Sequence, residues 1–163
     1  MASKSLRVCN ALGKLWKYSA ALRCQEELAS LASHGNAADT LLILEVVLYP
    51  IVNLRRLKCG ARAYVEGLED SLISTVATYG VQARISHGVT RHGAALNVAT
   101  DLSYFSHILP CGIADKEMTT LQKELGQQNI STDEVASRFT KAFARQFGYD
   151  ELVEISREEL ETV

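Results

Sequence analysis

Apolar residues recur along this chain with two periods. Ala21, Leu22, Leu28, Ala29 and Ala32 fall close to one helical face, which predicts a helix over Tyr18 to Ser33 with Gly35 placed to end it. Ala61, Tyr64, Val65, Leu68, Leu72 and Val76 predict the strongest helix, Ala61 to Tyr79, stopped by Gly80. Ser131 or Thr132 caps a third helix, with Val135, Phe139, Ala142, Phe143 and Phe147 on its buried side and Gly148 at its end. Between these lie strand-like runs. Residues 5–12 form a short one, and Thr40 to Val47 is continuously apolar apart from Glu45. Leu48 to Leu54 is a second extended run, in which Pro50 argues for an edge position or a break. Residues 81–86, 88–91 and 94–99 read as short strands separated by turns at His87-Gly88 and His92-Gly93. Asp101 to Ser106 reads as one helical turn capped by Asp101, Pro110 to Gly112 as a loop, and Thr119 to Leu125 as a short helix. Ser156-Arg157-Glu158-Glu159 matches a capping box that opens a terminal helix. Helices interleaved with strand hairpins predict an α+β (mixed α/β) fold.

The 163 residues suit one domain, 1–163, and 47% apolar content supplies a core. A net charge of -2 gives no reason to expect nucleic acid or an acidic surface as partner. The longest apolar run, Leu41 to Ile51, is broken by Glu45 and Pro50, so no membrane association is expected. The cysteines Cys9, Cys24, Cys59 and Cys111 are widely and irregularly spaced, which argues against a disulfide framework and for a reducing compartment. The first 25 residues carry Lys4, Arg7, Lys14, Lys17 and Arg23 and no acid. That composition is compatible with import into an organelle. A basic first strand and helix of the domain itself explains it at least as well, because the helix already begins at Tyr18.

Three features bear on chemistry. Cys111 stands between Pro110, which fixes one backbone angle, and Gly112, which lets a ligand approach the chain closely. That frame suits a presented thiol, although isolated cysteines are more often buried and inert. The small residues of His92-Gly93-Ala94-Ala95-Leu96-Asn97 leave room for a slender substrate, and their N–H groups suit a carbonyl oxygen. A tight turn entering a strand is the plainer explanation of the same residues. His107 and Cys111 are four apart, and His87 and His92 are five apart. No carboxylate cluster joins them, so no metal is expected. The basic run Arg55-Arg56-Leu57-Lys58 reads as a solvated loop before the long helix, with an acidic protein partner as the less common alternative.

Taken together, these segments resemble one family. Leu48-Tyr49-Pro50-Ile51-Val52-Asn53-Leu54 resembles the L-x-Y-P-I-x-x-L strand of the octanoyltransferases (lipoate–protein ligase B). Ala61 to Val65 with Leu68-Glu69 resembles the start of that family's long helix. Thr90 through Phe105 resembles T-x-H-G-x-A-L-N-V-x-x-D-L-x-x-F. Ile108-Leu109-Pro110-Cys111-Gly112-Ile113 resembles I-x-P-C-G-I, and Met118-Thr119-Thr120-Leu121 the V-T-S-L that follows. Leu12-Gly13, Tyr18, Leu22 and Gln25-Glu26 resemble the family opening, and the wording from Pro110 to Glu117 is nearest to plant-type members.

The resemblance implies a biotin/lipoate–protein ligase-like sheet with flanking helices. It implies octanoyl transfer from octanoyl-acyl carrier protein to a lysine of lipoyl-domain proteins, namely 2-oxoacid dehydrogenase subunits and the glycine cleavage H protein. The implied route is a thioester on Cys111, with His92, Gly93, Ala94 and Ala95 lining the acyl site. No cofactor is implied, because the donor arrives activated as a thioester. The implied compartment is mitochondrial, with plastid or cytoplasm as alternatives.

Two family segments are missing from this sequence. The R-G-G-x-x-T-x-H-G-P-G-Q loop belongs between Leu44-Glu45 and Leu48-Tyr49, and the G-x-K-I-x-A-I-G strand belongs before Ser86-His87-Gly88. The domain is thus expected to be incomplete near 45–48 and 85–86, with poor packing at both junctions. The family's catalytic lysine lies in the second missing segment. Lys58, Lys116 and Lys123 do not match its motif. The gaps also support an alternative reading, a catalytically impaired variant that acts at most as a binding protein or does not fold stably.

Overall fold

The computed structural model describes residues 4–12, 18–34, 38–44, 47–83, 94–103 and 118–161. Its centre is a mixed sheet of five strands: β1 (Ser5–Asn10), β2 (Thr40–Leu44), β3 (Val47–Ile51), β4 (Ala94–Ala95) and β5 (Glu151–Glu154), in the order β4-β3-β2-β1-β5. β1 runs parallel to β2 and to β5, while β3 runs antiparallel to both β2 and β4. Six helices accompany these strands: α1 (Tyr18–Ser33), α2 (Leu54–Leu57), α3 (Ala61–Ala77), α4 (Leu121–Glu124), α5 (Thr132–Phe147) and α6 (Arg157–Glu161).

Strand side chains alternate between faces, so each strand supplies two layers. On one face Leu6, Val8, Leu41, Ile43 and Leu48 pack against Leu68 of α3 and Ala136, Phe139, Phe143 and Ala144 of α5. On the other, Cys9 and Leu42 pack against Cys24 and Leu28 of α1 and Leu160 of α6. Helices therefore cover both faces of the sheet. A third cluster joins Val76 of α3, Val98, Leu121 of α4 and Val135 of α5.

Helix ends follow their local chemistry. Asn53 caps α2 by accepting from the N–H groups of Arg55 and Arg56. Ser131 caps α5, and Gly148, at φ +66, closes it in the left-handed conformation. Ser156 and Glu159 form the expected reciprocal box: Ser156 N–H donates to Glu159 Oε2 at 2.7 Å, and Glu159 N–H donates to Ser156 Oγ at 3.2 Å.

Several expectations need correction. The strand over 94–99 contracts to Ala94–Ala95, and residues 81–83 are in no strand. Within the described residues β4 pairs with β3 at Leu48 and Val47, and the chain leaves strand conformation after Ala95. The basic run before α3 is not a loop but the single turn α2, with Arg55, Arg56 and Lys58 still exposed. β5 has no counterpart among the expected elements; all four of its residues are exposed, so no burial pattern marks it in the sequence. At the first junction residues 45 and 46 lie outside the described residues, and their flanks pair. Leu44 pairs with Val47 across a two-residue connection, and Leu48 is buried. The edge expectation for Pro50 turns on residues 84–93, which lie outside the described residues. β4 pairs only as far as Leu48, which leaves the far half of β3 with a strand on one side only among the described residues. The second junction at 85–86, the expected strand over 88–91, the helix stop at Gly35 and the loop from Pro110 to Gly112 all lie outside the described residues.

Candidate active site

The segment that carries the sequence-predicted chemistry begins at β4. Ala94 and Ala95 pair with Leu48 and Val47, which fixes this short strand against the sheet. Two residues later the chain is tied to the far side of the Cys111 segment. Leu121 N–H donates to Asn97 C=O at 2.8 Å, and Gln122 N–H donates to Val98 C=O at 2.9 Å. Asn97 Nδ2 also donates to Thr119 C=O at 3.4 Å. The first N–H groups of α4 are thus satisfied by backbone carbonyls from the β4 exit, and Thr120 Oγ1 satisfies Lys123 N–H at 3.0 Å. Val98 is fully buried beside Leu121, which adds an apolar clamp to the polar one. The chain between these anchors therefore leaves and returns at one place, a stem beside β4.

Cys111 falls between the two anchors, and it lies outside the described residues, as do His92 and Gly93. Of the predicted site residues the structure therefore places Ala94 and Ala95 alone, both in β4. Just beyond the first anchor, Asp101 performs its expected capping role: Ser103 N–H donates to Asp101 Oδ1 at 2.9 Å. That bond, together with one from the Ser103 side chain, holds the Asp101 carboxyl below the usual carboxylate range.

The anchoring role of Asn97, Thr119 and Thr120 lies beyond what sequence patterns alone revealed. A signal was present, because a threonine immediately before an apolar helix start is an N-cap pattern. The partner carbonyls at Asn97 and Val98 carry no sequence signature of their own.

Among the described residues, a cleft of about 1040 Å³ opens along β3 between α1 and the α2–α3 corner. Leu22 and Ala29 form one wall, Tyr64 and Leu68 the other, and Tyr49 to Asn53 the floor. Burial raises the Tyr64 hydroxyl from 10.0 to about 12, with nearby Cys59 adding to the rise. Among the described residues no group of three or more His, Cys, Asp or Glu side chains is arranged to hold a metal ion. No described helix is long and apolar enough to cross a membrane.

A mixed sheet covered by helices on both faces, with a small-residue strand whose exit is bonded to the start of α4, defines the class of protein to which this chain belongs. The family model described as the Lipoyl protein ligase A/B catalytic domain matches residues 83–144, the span from the approach to β4 into α5. Individual relatives narrow the class. The chain is 33% identical over 208 residues to an octanoyltransferase of Solibacter usitatus, with 86% of this chain and 93% of that protein covered. It is 40% identical over 131 residues to Octanoyltransferase LIP2, mitochondrial, of Arabidopsis thaliana, covering 67% of this chain and 56% of that protein. It is 42% identical over 120 residues to an octanoyltransferase of Bacteroides fragilis, covering 58% and 54%. The chain belongs to the octanoyltransferase family.

The chain spans about half the length of the Arabidopsis and Bacteroides relatives. The Solibacter alignment runs over 208 positions although only 86% of these 163 residues take part, so stretches of that protein have no counterpart here.

Proposed function

We propose that this chain carries the thiol half of an octanoyltransferase site, with Cys111 as nucleophile. The observation that carries the reading is the stem that ties Asn97 and Val98 to Leu121 and Gln122. It starts the Cys111 segment beside the Ala94–Ala95 strand, and in this reading the two line one acyl site. The chemistry is two-step covalent catalysis. The Cys111 thiolate attacks the carbonyl of octanoyl-acyl carrier protein, and the carrier thiol leaves. A lysine amine of a lipoyl-domain protein then attacks the Cys111 thioester, loses its proton, and releases the Cys111 thiolate. N–H groups at Gly93 to Ala95 are suited to stabilise the oxyanion of each step, with His92 at the mouth of the site. No metal or nucleotide takes part, because the acyl group is already activated. The Arabidopsis relative, named as mitochondrial, supports a mitochondrial setting.

The same reading assigns this chain a single domain that lacks two internal segments, near 45–48 and 85–86. The stretches of the Solibacter protein without counterpart support it. With the family lysine absent, Cys111 is without the acid/base partner that the resemblance implies, a loss of ~10²–10⁴ in rate. An unassisted thiol ionises near ~8.5, leaving a few per cent thiolate at neutral pH. The expected activity is therefore weak self-acylation and negligible transfer. A chain that binds carrier protein without acylating is the second reading, and the same gaps favour it.

The test is to incubate the purified chain with octanoyl-loaded carrier protein and weigh it intact. A mass gain of one octanoyl group that is absent from Cys111→Ser and present in Cys9→Ser, Cys24→Ser and Cys59→Ser supports the proposal. An adduct that survives Cys111→Ser overturns the assignment. Carrier binding without any adduct selects the second reading.

A further inference from the structure

The basic run Arg55-Arg56-Leu57-Lys58 has no part in the chemistry proposed for Cys111, yet the fold pins it at both ends. Asn53 fixes the start, where its Oδ1 accepts the N–H groups of Arg55 and Arg56 at 3.0 and 3.2 Å. Asn53 is itself held by its N–H on buried Asp39 and by its Nδ2 on the Ala32 carbonyl, both at 2.8 Å. The end is closed by Lys58 N–H on the Arg55 carbonyl and Cys59 N–H on the Leu54 carbonyl, both at 3.1 Å. That closure puts Lys58 at φ 53 and ψ 39, a left-handed conformation that glycine adopts freely and other residues adopt at a cost. A lysine thus stands where the backbone favours glycine. Strain kept at an exposed cation points to a use for that cation.

Charge is concentrated at the same corner. The chain as a whole is acidic, with 19 Asp and Glu against 17 Lys and Arg. From Val46 to Val65 there is no acid, while Arg55, Arg56, Lys58 and Arg62 fall within this stretch. All four basic residues are exposed. Among the described residues neither Arg55 nor Lys58 forms an ion pair, and the Arg62 side chain stays 90% exposed beside Glu66. β3 connects this corner to the candidate site. Its last residue, Ile51, lies three residues before α2, and its first two residues pair with β4. At ~3.3 Å per residue the strand spans about 13 Å from Val47 to Ile51.

We propose that Arg55, Arg56, Lys58 and Arg62 form the docking surface for the acyl carrier protein, met through an acidic face of that partner. The inference rests on the octanoyl-transfer reading and adds to it the place where the donor sits. A carrier holds its acyl thioester at the end of a long flexible arm, so its body rests at a distance from the thiol that receives the acyl group. The α2 corner offers such a distance, one strand length from β4, where the Cys111 segment starts. The remainder of the chain is acidic and repels an acidic partner, so this corner orients the carrier as well as attracting it. Nucleic acid or an anionic bilayer is a poorer occupant, because a broad anionic surface would meet the acidic remainder too.

Binding of fluorescently labelled octanoyl-loaded carrier protein to the full chain, read by anisotropy, tests this. The expected affinity falls as salt is raised. Arg55→Glu and Lys58→Glu, both on exposed side chains, each weaken binding by about tenfold. Lys58→Gly gives two readouts of opposite sign. Relief of the left-handed conformation raises the melting temperature, while loss of the cation weakens carrier binding by about threefold. A merely structural role for Lys58 would move both in the same direction. Acylation of the parent chain by octanoyl-N-acetylcysteamine, a thioester with no protein body, reads the thiol chemistry without docking. No adduct from that donor, together with charge-dependent carrier binding, removes the transfer reading and leaves the docking surface standing. An adduct without carrier binding keeps the chemistry and overturns the docking surface. So does equal carrier binding by the parent and all three variants, and so does tighter binding to phosphatidylserine vesicles than to the carrier.

Discussion

Tyr149 Oη donates a 2.9 Å hydrogen bond to Asp39 Oδ2, joining the residue just after α5 to the residue just before β2. Asp39 is 2% exposed, and its other carboxylate oxygen accepts Asn53 N–H at 2.8 Å. Its backbone carbonyl accepts Arg7 N–H at 3.0 Å. One buried residue thus ties together β1, β2, the α2 cap and the end of α5. Burial, and then the adjacent Asp39 charge, push the Tyr149 hydroxyl well above its ordinary range.

Replacing Tyr149 with Phe leaves Asp39 Oδ2 buried without its donor. Leaving a buried acceptor unsatisfied costs ~1–3 kcal/mol, and more when it is charged, so a destabilisation of at least that size is expected. Chemical denaturation checks it, and an unchanged midpoint would mean that solvent reaches Asp39.

Gly67 lies inside α3, where alanine would ordinarily add about 1 kcal/mol of helix stability. Here a Cβ would stand 2.8 Å from Phe147 Cζ. The Phe147 ring is itself held between Phe143, at 4.7 Å, and Tyr64, at 5.4 Å between centroids. Gly67→Ala therefore forces α3 and α5 apart and is expected to destabilise by ~1–3 kcal/mol, opposite in sign to helix propensity. Thermal melts of the two chains decide between the two effects.

Tyr64 makes the fold sensitive to alkali. In the unfolded chain it loses its proton near 10.0; folded, it keeps it to about 12. Between those values the unfolded state holds fewer protons, so stability falls as pH rises through this window and is fully present below it. Tyr149 adds to the fall with the same sign. Unfolding free energies measured from about pH 9 upward are expected to drop less steeply in Tyr64→Phe than in the parent chain. Equal slopes would remove Tyr64 as a source of the effect.

For Cys111 the expectation concerns rate. Without a matched lysine, acylation by octanoyl-carrier protein is expected to accelerate steadily as pH rises towards ~8.5, following the thiolate fraction. A rate already maximal at neutral pH would reveal another group that lowers the thiol pKa. Intact-mass time courses at several pH values measure this directly.

Much of the fold is legible where a single element carries its own pattern. The apolar stripe of α1 predicts both of its ends, and Ser131 and Gly148 bracket α5 as their chemistry requires. The reciprocal bonds of Ser156 and Glu159 follow from four consecutive residues. Elements that owe their form to a distant partner are not legible. Glu-Leu-Val-Glu becomes β5 only because β1 presents an edge to it. The turn α2 depends on Asn53, which stands outside the charged run from Arg55 to Lys58 and changes its meaning from loop to helix. For the candidate site, the family resemblance, and not spacing, singles out Cys111 and the Gly93 to Ala95 segment. The stem bonds from Asn97 and Val98 to α4 join carbonyls to N–H groups more than twenty positions away, and those have no residue-type signature.

The pairing of Leu44 with Val47 bears on how such a gene can change. The ladder from Thr40↔Ile51 to Leu44↔Val47 is complete on both sides of the two intervening residues. Lengthening a connection costs only about 0.6 kcal/mol for each doubling. A dozen residues gained at that tip therefore leave every strand partner of the hairpin in register. Evolution can trade sequence there at little thermodynamic risk. An engineer can add a glycine-rich insert at the same position and expect the flanking strands to keep their pairing.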